Sequence, residues 1–283
     1  MHQNFPKALS YPLTRNDYVL QICKKLEQSK AALQAEFSQP KRISSFYLDH
    51  LLDEEVAQEI YAAFPDEQKM RELKSLREHK YVAMQLDQFD SKIEEIIYAF
   101  QDPRVVALIS KITGIPMLLP DPQLYAGGIS VMRQGHYLNP HLDNSHNKSQ
   151  DCYRVLNLLY YASPGWQVEF GGNLELWDQG VSEPCRTIEY RFNRLVVMVT
   201  NSTSWHSVNP ICYPARRCCV SNYYFSQNSP EARSYRHVTS FRGRPDQRLR
   251  DWILRGDALL RNGFPEELKK QVRRSDYYYK KRS

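Results

Sequence analysis

The chain has 283 residues, with 38 Lys and Arg against 32 Asp and Glu, for a formal net charge of +6. That length fits one large domain or two small ones, and no Gly/Ser/Pro-rich linker divides the chain. It contains no run of about 20 apolar residues, which argues against a membrane-spanning helix. Residues 1–7 lack the apolar stretch of a secretory signal. We expect a cytoplasmic protein with no membrane partner.

The cysteines agree with a reducing compartment. No two of the six have the C-x-x-C spacing of a redox motif or a zinc site. In a chain of this size they are typical of reduced thiols in a cytosolic protein. They are Cys23, Cys152, Cys185, Cys212, Cys218 and Cys219.

Helices are predicted in the first part of the chain. Residues 16–36 show apolar side chains at helical spacing. Asp53 is a candidate N-cap for a second helix. A third begins at Asp102 and Pro103, since proline fits the first helical position, and Gly114 ends it.

The pattern changes at residue 123. Residues 123–225 consist of short β-branched and aromatic runs broken by Asn, Gly and Pro, which is typical of a β-sheet core. We therefore predict a mainly β protein with flanking helices. Residues 1–122 would supply helices and a lead-in strand that pack on this core. Residues 226–283 would form a basic extension, with an amphipathic helix near residues 246–254 returning to the core, all within one structural domain.

The positive charge is concentrated in this extension. Residues 226–283 hold fifteen Lys and Arg against seven Asp and Glu, a local charge of +8, which leaves about −2 (+6 less +8) for the first 225 residues. Such a patch could bind nucleic acid or an anionic surface. A charge run is more often a solvated face, so we expect no nucleic-acid partner.

Three residues form a candidate metal site. His141 and Asp143 are one residue apart, and His206 follows 63 residues after Asp143. On a strand, residues i and i+2 point to the same side, so both members of the pair can reach one ion. Two imidazoles and one carboxylate leave the opposite coordination positions open, which suits non-haem Fe(II). Any chain with eight histidines can show such a pair by chance, so its surroundings matter.

The surroundings of the pair are informative. His206 follows a β-rich run at residues 194–200, and Arg217, eleven residues further on, opens another at residues 218–225. A strand pattern at residues 155–161 and a Gly171-Gly172 element lie between the metal-site segments. In this order and spacing the chain resembles the prolyl 4-hydroxylase-like branch of the 2-oxoglutarate/Fe(II)-dependent dioxygenases.

The resemblance spans residues 127–225, with a looser match at residues 45–49. It implies a double-stranded β-helix core, that is, a jelly-roll or cupin-like fold. It makes His141, Asp143 and His206 the catalytic metal ligands. The implied cofactors are Fe(II), 2-oxoglutarate as co-substrate and O₂, with ascorbate as a candidate additional reductant.

The resemblance also implies an arginine for the co-substrate. In this family 2-oxoglutarate chelates the metal through its 1-carboxylate and 2-keto oxygen, and its far carboxylate meets a cation. A bidentate guanidinium suits that group, at roughly 1.5–3 kcal/mol for such a hydrogen bond. The family pattern favours Arg217, three residues before Val220, over its neighbour Arg216. Strand alternation places Arg217 on one face with Cys219, Ser221 and Tyr223.

Other co-substrate residues follow from the same resemblance. Tyr161 would reach the far carboxylate through its hydroxyl, and Leu174 would form an apolar wall. Gly171 and Gly172 resemble the paired glycines of the family, and they would mark a bulge or the close approach of a ligand. Tyr137 is either a residue at the rim of the pocket or one that shields the end of the barrel.

The implied activity is hydroxylation of an aliphatic C–H, most naturally on a prolyl residue or a free amino acid. The alternatives are hydroxylation of another small metabolite in a biosynthetic pathway, and a non-catalytic binding protein that keeps the fold. A zinc hydrolase is disfavoured because no His-Glu-x-x-His run is present. A halogenase would need a small residue at Asp143. Residues near the metal site that could meet a polar substrate are Arg133, His136, Asn144, His146 and Trp205.

Overall fold

The computed structural model describes residues 13–125, 127–231, 233–263 and 279. The first residues, on which the expectation of no signal segment rests, lie outside this part. The helices are α1 (Arg15–Phe37), α2 (Glu54–Ala62), α3 (Ser91–Ala99), α4 (Pro103–Thr113) and α5 (Arg248–Gly263). The strands are β1 (Ser45–Leu48), β2 (Arg71–Lys74), β3 (Glu78–Ala83), β4 (Leu119–Pro120), β5 (Gly128–Met132), β6 (Tyr137–Leu142), β7 (Tyr153–Tyr161), β8 (Leu174–Leu176), β9 (Arg186–Ile188), β10 (Arg194–Val199), β11 (His206–Val208), β12 (Arg217–Ser226) and β13 (Ser240–Phe241).

The strands form one antiparallel sheet that curls into a half-barrel. One half has the order β1-β10-β7-β12-β5, the other has β6-β11-β8-β9, and β3 lies between β5 and β6. At the margins β13 pairs with β6, β2 with β3, and β4 with β12. The predicted mainly β class with flanking helices is confirmed. The curl places the inner faces of β6, β7, β11 and β12 around one cavity.

The N-terminal helices cover the outer face of the larger half of the sheet. The long helix α1 packs against α3, α4 and β1, and the predicted apolar stripe of α1 is buried, with Ile22 and Leu26 fully enclosed. The predicted α4 boundaries are confirmed: the Asp102 side chain accepts from the Arg104 N–H, and Gly114 ends the helix at φ +72°. Asp53 does precede α2, but its side chain makes no capping hydrogen bond.

Two elements were absent from the sequence prediction. They are the helix α3 and the hairpin β2-β3, which adds a strand to the centre of the sheet. The hairpin strands read Arg-Glu-Leu-Lys and Glu-His-Lys-Tyr-Val-Ala and are at most half-buried. Charged residues without apolar alternation give little strand signal. The hairpin is held by pairing with β5 and β6, which local sequence does not reveal.

The predicted C-terminal helix is present as α5 and packs against β13. Its inner side holds buried Leu254 and two ion pairs, Asp251 with Arg242 and Asp257 with Arg77. The other side faces solvent, where Trp252 is 76% exposed and Leu249 is 74% exposed. No helix in the described ranges is long and apolar enough to cross a bilayer.

Candidate active site

A cavity of about 1250 Å³ opens between the two halves of the sheet. Its floor comes from the inner faces of β6, β7, β11 and β12. The hairpin β2-β3 lines one side, and residues 236–241 line another. The core therefore presents one large concave site to which N-terminal and C-terminal segments both contribute.

The predicted metal ligands lie together at the bottom of this cavity. His141 on β6 pairs directly with His206 on β11 in the antiparallel ladder, and Asp143 follows the end of β6. His141 Nε2 lies 3.8 Å from Asp143 Oδ1, and His206 Nε2 lies 3.7 Å from Asp143 Oδ2. The three ligand atoms are all within 4.8 Å of one another, and all three residues are buried. Sheet pairing thus brings together residues that are far apart in sequence.

Hydrogen bonds orient both imidazoles. His141 Nδ1 lies 3.0 Å from the Asn139 carbonyl oxygen, and His206 Nδ1 lies 2.9 Å from the Ser204 carbonyl oxygen. In each ring Nδ1 therefore carries the proton, and Nε2 presents its lone pair to the centre of the group. Burial, with a further effect from His206, lowers the pKa of His141 to about 3. A neutral imidazole is the form that binds a metal ion.

Asp143 completes the group as a carboxylate. Burial raises its pKa, but His206, Arg154 and His141 together outweigh that effect and lower it below its usual value. Among the described residues its Oδ2 atom is buried without a hydrogen-bond partner. An orphaned carboxylate oxygen beside two Nε2 lone pairs fits a divalent cation, because such an oxygen otherwise costs free energy. The donor set, two nitrogens and one oxygen open on the cavity side, suits Fe(II).

The strand β6 contains a β-bulge, which changes the face to which its first residues point. On β11, His206 lies opposite His141 of β6, and Val208 lies opposite Leu138. Two steps along β11 therefore match three steps along β6, so β6 has one extra residue. Tyr137 therefore faces away from the cavity. Its hydroxyl donates to the Ser75 carbonyl oxygen at 2.9 Å. Tyr137 is not among the residues that line the cavity, and its role, at the rim of the pocket or as a shield of the barrel end, stays a prediction.

Arg217 lies in the interior of the same cavity. It lines the cavity at 3% exposure, and its Nε donates to the Gly172 carbonyl oxygen at 2.5 Å. Its guanidinium carbon lies 5.0 Å from the ring centre of Tyr161 and 4.6 Å from that of Tyr190. Arg216 faces outward and pairs with Glu67 at 2.8 Å. The predicted strand faces are confirmed, with Cys219, Ser221 and Tyr223 on the cavity side.

The paired glycines are required by close packing. Both have positive φ, +75° at Gly171 and +72° at Gly172. A Cβ on Gly172 would lie 2.8 Å from Arg217 Cδ, and one on Gly171 would lie 2.0 Å from the Pro210 carbonyl oxygen. The close contacts of this element are thus to Arg217 and to backbone, and the predicted approach of a ligand stays a prediction.

Leu174 and Tyr161 differ in their relation to the cavity. Leu174 is buried and lines the cavity. Tyr161 is fully buried behind the cavity wall and stacks on Tyr190 at 4.4 Å. Within the described residues its hydroxyl has no hydrogen-bond partner. A buried hydroxyl without a partner beside a guanidinium is suited to a ligand oxygen.

Sequence reasoning missed two residues beside the metal-site group, Arg154 and Phe241. Arg154 is 1% exposed, lies 3.7 Å from Asp143 Oδ1 through Nη1, and stacks over the Tyr223 ring at 4.0 Å. Phe241 stacks on His141 with ring centres 5.1 Å apart. An arginine inside an apolar strand was the available signal for Arg154, because a buried charge needs a partner. The Phe241 contact depends on β13 pairing with β6, which sequence does not show.

The residues proposed for a polar substrate divide into two groups. Asn144 and His146 line the cavity. His136 instead stacks on His79 at 3.7 Å, and Arg133 pairs with Glu67 at 2.9 Å. Trp205 is not among the cavity-lining residues.

Comparison with known proteins agrees with this geometry. The family model of the 2OG-Fe(II) oxygenase superfamily matches residues 127–225, which contain every residue of the metal-site group and Arg217. No curated protein sequence matches the chain. Similar solved structures include a Pseudomonas putida prolyl-4-hydroxylase, at 17% identity and TM-score 0.51, covering 68% of this chain and 97% of the other.

Two further structures show the same fold. One is a prolyl hydroxylase from Trichoplax adhaerens in complex with a hypoxia inducible factor peptide fragment, at 19% identity and TM-score 0.50, covering 71% of this chain and 92% of the other. The other is a prolyl 4-hydroxylase from Phytophthora capsici, at 17% identity and TM-score 0.51, covering 95% and 90%. The predicted jelly-roll core is confirmed. Residues 127–225 thus match the 2OG-Fe(II) oxygenase superfamily, and this match, together with the buried metal-site group, supports an oxygenase that uses Fe(II) and 2-oxoglutarate.

Proposed function

We propose that this oxygenase hydroxylates an aliphatic C–H of a prolyl residue or a free amino acid. One observation carries the proposal: a buried His-Asp-His group and a buried arginine face the same cavity. In this proposal His141, Asp143 and His206 hold Fe(II). When bound, Fe(II) with 2-oxoglutarate and O₂ supplies the oxidation of an unactivated C–H, and 2-oxoglutarate leaves as succinate and CO₂.

The protein contributes binding and orientation. Arg217 pairs with the far carboxylate of 2-oxoglutarate, Tyr161 offers its hydroxyl to the same group, and Leu174 packs against the carbon chain. The hydrogen bond to Gly172 holds the guanidinium in place before the ligand arrives. Such preorganisation lowers the cost of binding.

The charge of the cavity supports a carboxylate-bearing substrate. Seven Lys and Arg line it against two acidic residues, Asp143 and Glu78, and Glu78 is already paired with Lys80. Arg217 is assigned to the co-substrate, Arg154 lies beside Asp143, and Arg77 and Arg261 both pair with Asp257, but basic residues still outnumber acidic ones in the lining. The cations are Arg77, Lys80, Lys148, Arg154, Arg217, Arg236 and Arg261. An amino acid or a peptide with a free carboxylate would find favourable charge there.

The test is mass spectrometry of products from free amino acids and prolyl peptides. We expect a gain of one oxygen atom, matched by succinate, that requires Fe(II), 2-oxoglutarate and O₂. Free proline should react or bind better than prolinamide, because the amide lacks the negative charge. His206→Ala should abolish the product, whereas His50→Ala, at an exposed position, should not. If neither amino acids nor peptides gain oxygen and another metabolite does, the substrate belongs to the class of that metabolite and the proposal is wrong.

A further inference from the structure

The helix α5 presents an apolar face to solvent. Positions 249, 252, 253, 256 and 260 follow the i, i+3, i+4, i+7 and i+11 spacing of one helix side. At its centre, an added Cβ on Gly256 would meet nothing within 4 Å. Together the exposed side chains form a patch on the order of several hundred Å². Apolar patches of this size on folded proteins often mark a binding surface. They are Leu249 (74% exposed), Trp252 (76%), Ile253 (41%), Leu259 (75%) and Leu260 (68%).

This orientation is fixed by the other side of the helix. Asp251 accepts from Arg242 at 2.6 Å and from the Gly243 N–H at 3.0 Å. Asp257 pairs with Arg77, and Leu254 is 2% exposed. Turning the apolar side inward would break these contacts. The exposed face therefore belongs to the folded protein.

One edge of the face carries positive charge. Arg248 and Arg255 are seven residues apart, lie along the same flank, and are both exposed. Within the described part of the chain neither forms an ion pair within 4.0 Å. The two acidic residues of the helix, Asp251 and Asp257, are engaged with arginines on its inner side. The outer surface of α5 is thus apolar with a basic flank.

We propose that α5 binds the surface of an anionic lipid membrane, with its apolar side in the headgroup region, contrary to the expectation from the sequence of no membrane partner. Helices that bind this interface combine Trp and Leu on one face with Arg or Lys beside it. A second copy of the chain fits less well. A twofold antiparallel pairing brings the same flank of both helices together, so Arg248 and Arg255 would face their own counterparts and repel. This inference is independent of the proposed reaction.

The test is co-sedimentation of the full chain with vesicles of phosphatidylcholine and phosphatidylglycerol, against vesicles of phosphatidylcholine alone. We expect at least about tenfold stronger partition onto the anionic vesicles, weakened by salt. Trp252 emission should shift to the blue on binding, and Trp252→Phe should remove that shift. The double variant Leu249→Gln/Leu260→Gln should lower the partition at least about tenfold. Leu20→Gln, at an exposed leucine of α1, is the matched control.

The charge contribution is tested separately. Arg248→Glu/Arg255→Glu should abolish the preference for anionic vesicles while the circular dichroism spectrum stays unchanged. Equal partition onto both vesicle types, or none onto either, would overturn the proposal. So would a dimer in light scattering that the two leucine substitutions dissociate, because the occupant of the face would then be a second copy.

Discussion

The Gly172 carbonyl oxygen accepts a hydrogen bond from Arg217 Nε at 2.5 Å, and the same glycine leaves the space that the Arg217 side chain fills. A backbone acceptor and the missing Cβ thus set the direction of the guanidinium. The proposed co-substrate site depends on this pair as much as on the charge itself.

Gly172→Ala should weaken 2-oxoglutarate binding without removing the metal site. The new Cβ would lie 2.8 Å from Arg217 Cδ, so the arginine must move. We expect the half-saturating 2-oxoglutarate concentration to rise at least about tenfold, which corresponds to about 1.4 kcal/mol. Gly180→Ala is the control, because Gly180 also has a positive φ of +93° but open space around it. If both variants raise the half-saturating concentration equally, backbone strain and not the displacement of Arg217 is responsible.

Tyr161→Phe should change stability and co-substrate binding in opposite directions. Without ligand the Tyr161 hydroxyl is buried and has no partner within the described residues, so its removal should stabilise the protein by up to about 1–3 kcal/mol. If the hydroxyl contacts 2-oxoglutarate, the half-saturating concentration should rise several-fold. Tyr160→Phe should instead destabilise the protein, because the Tyr160 hydroxyl donates to Asn193 Oδ1 at 3.1 Å. Chemical denaturation and succinate assays measure the two effects. Unchanged 2-oxoglutarate dependence would assign Tyr161 to packing alone.

Alanine at His141, Asp143 or His206 should remove Fe(II) binding and leave the fold intact. The sheet is held by its apolar core and its strand ladder, whereas these three side chains line the cavity. Anaerobic Fe(II) titration with circular dichroism measures both properties. His50→Ala is the exposed control. Tight binding retained by any two of the three variants would exclude the triad as the ligand set.

Asp121 predicts a pH dependence of stability. Burial raises its pKa to about 6, which the charge of Arg154 and backbone hydrogen bonds only partly offset. The folded state therefore binds a proton more tightly than the unfolded state, and stability falls as pH rises from about 4 to about 6. Asp121→Asn should add on the order of 1–3 kcal/mol of unfolding free energy at pH 7.5 and little at pH 4. Urea denaturation at the two pH values measures it, and an equal effect at both would refute the buried-charge explanation.

Much of the site follows from local sequence rules. Alternation within strands predicts that His141 and Asp143 reach one ion and that Arg217 and Arg216 face opposite ways, and the structure agrees. The position of Tyr137 does not follow, because the one-residue bulge in β6 inverts its face. Nothing in the local pattern marks that bulge.

The remaining differences arise from long-range pairing. The orientation of α5 depends on Asp257 pairing with Arg77, 180 residues earlier, which amphipathicity alone cannot predict. The hairpin β2-β3 forms on the edge offered by β5 and β6. The division into residues 1–122, 123–225 and 226–283 remains a prediction, as do the individual roles of the site residues.

The central claim is that this cavity binds 2-oxoglutarate through Arg217 beside the metal site. Succinate formation measured against 2-oxoglutarate concentration, for wild type, Arg217→Ala and Arg216→Ala, tests it most directly. In Arg217→Ala the far carboxylate of 2-oxoglutarate loses its buried partner. The half-saturating concentration should therefore rise about a hundredfold or more. Arg216→Ala should change it little, because the contacts that it removes, the partly exposed pair with Glu67 and the hydrogen bond to the Pro65 carbonyl oxygen, lie outside the cavity lining. A rise in Arg216→Ala but not in Arg217→Ala, or no rise in either, would contradict the account.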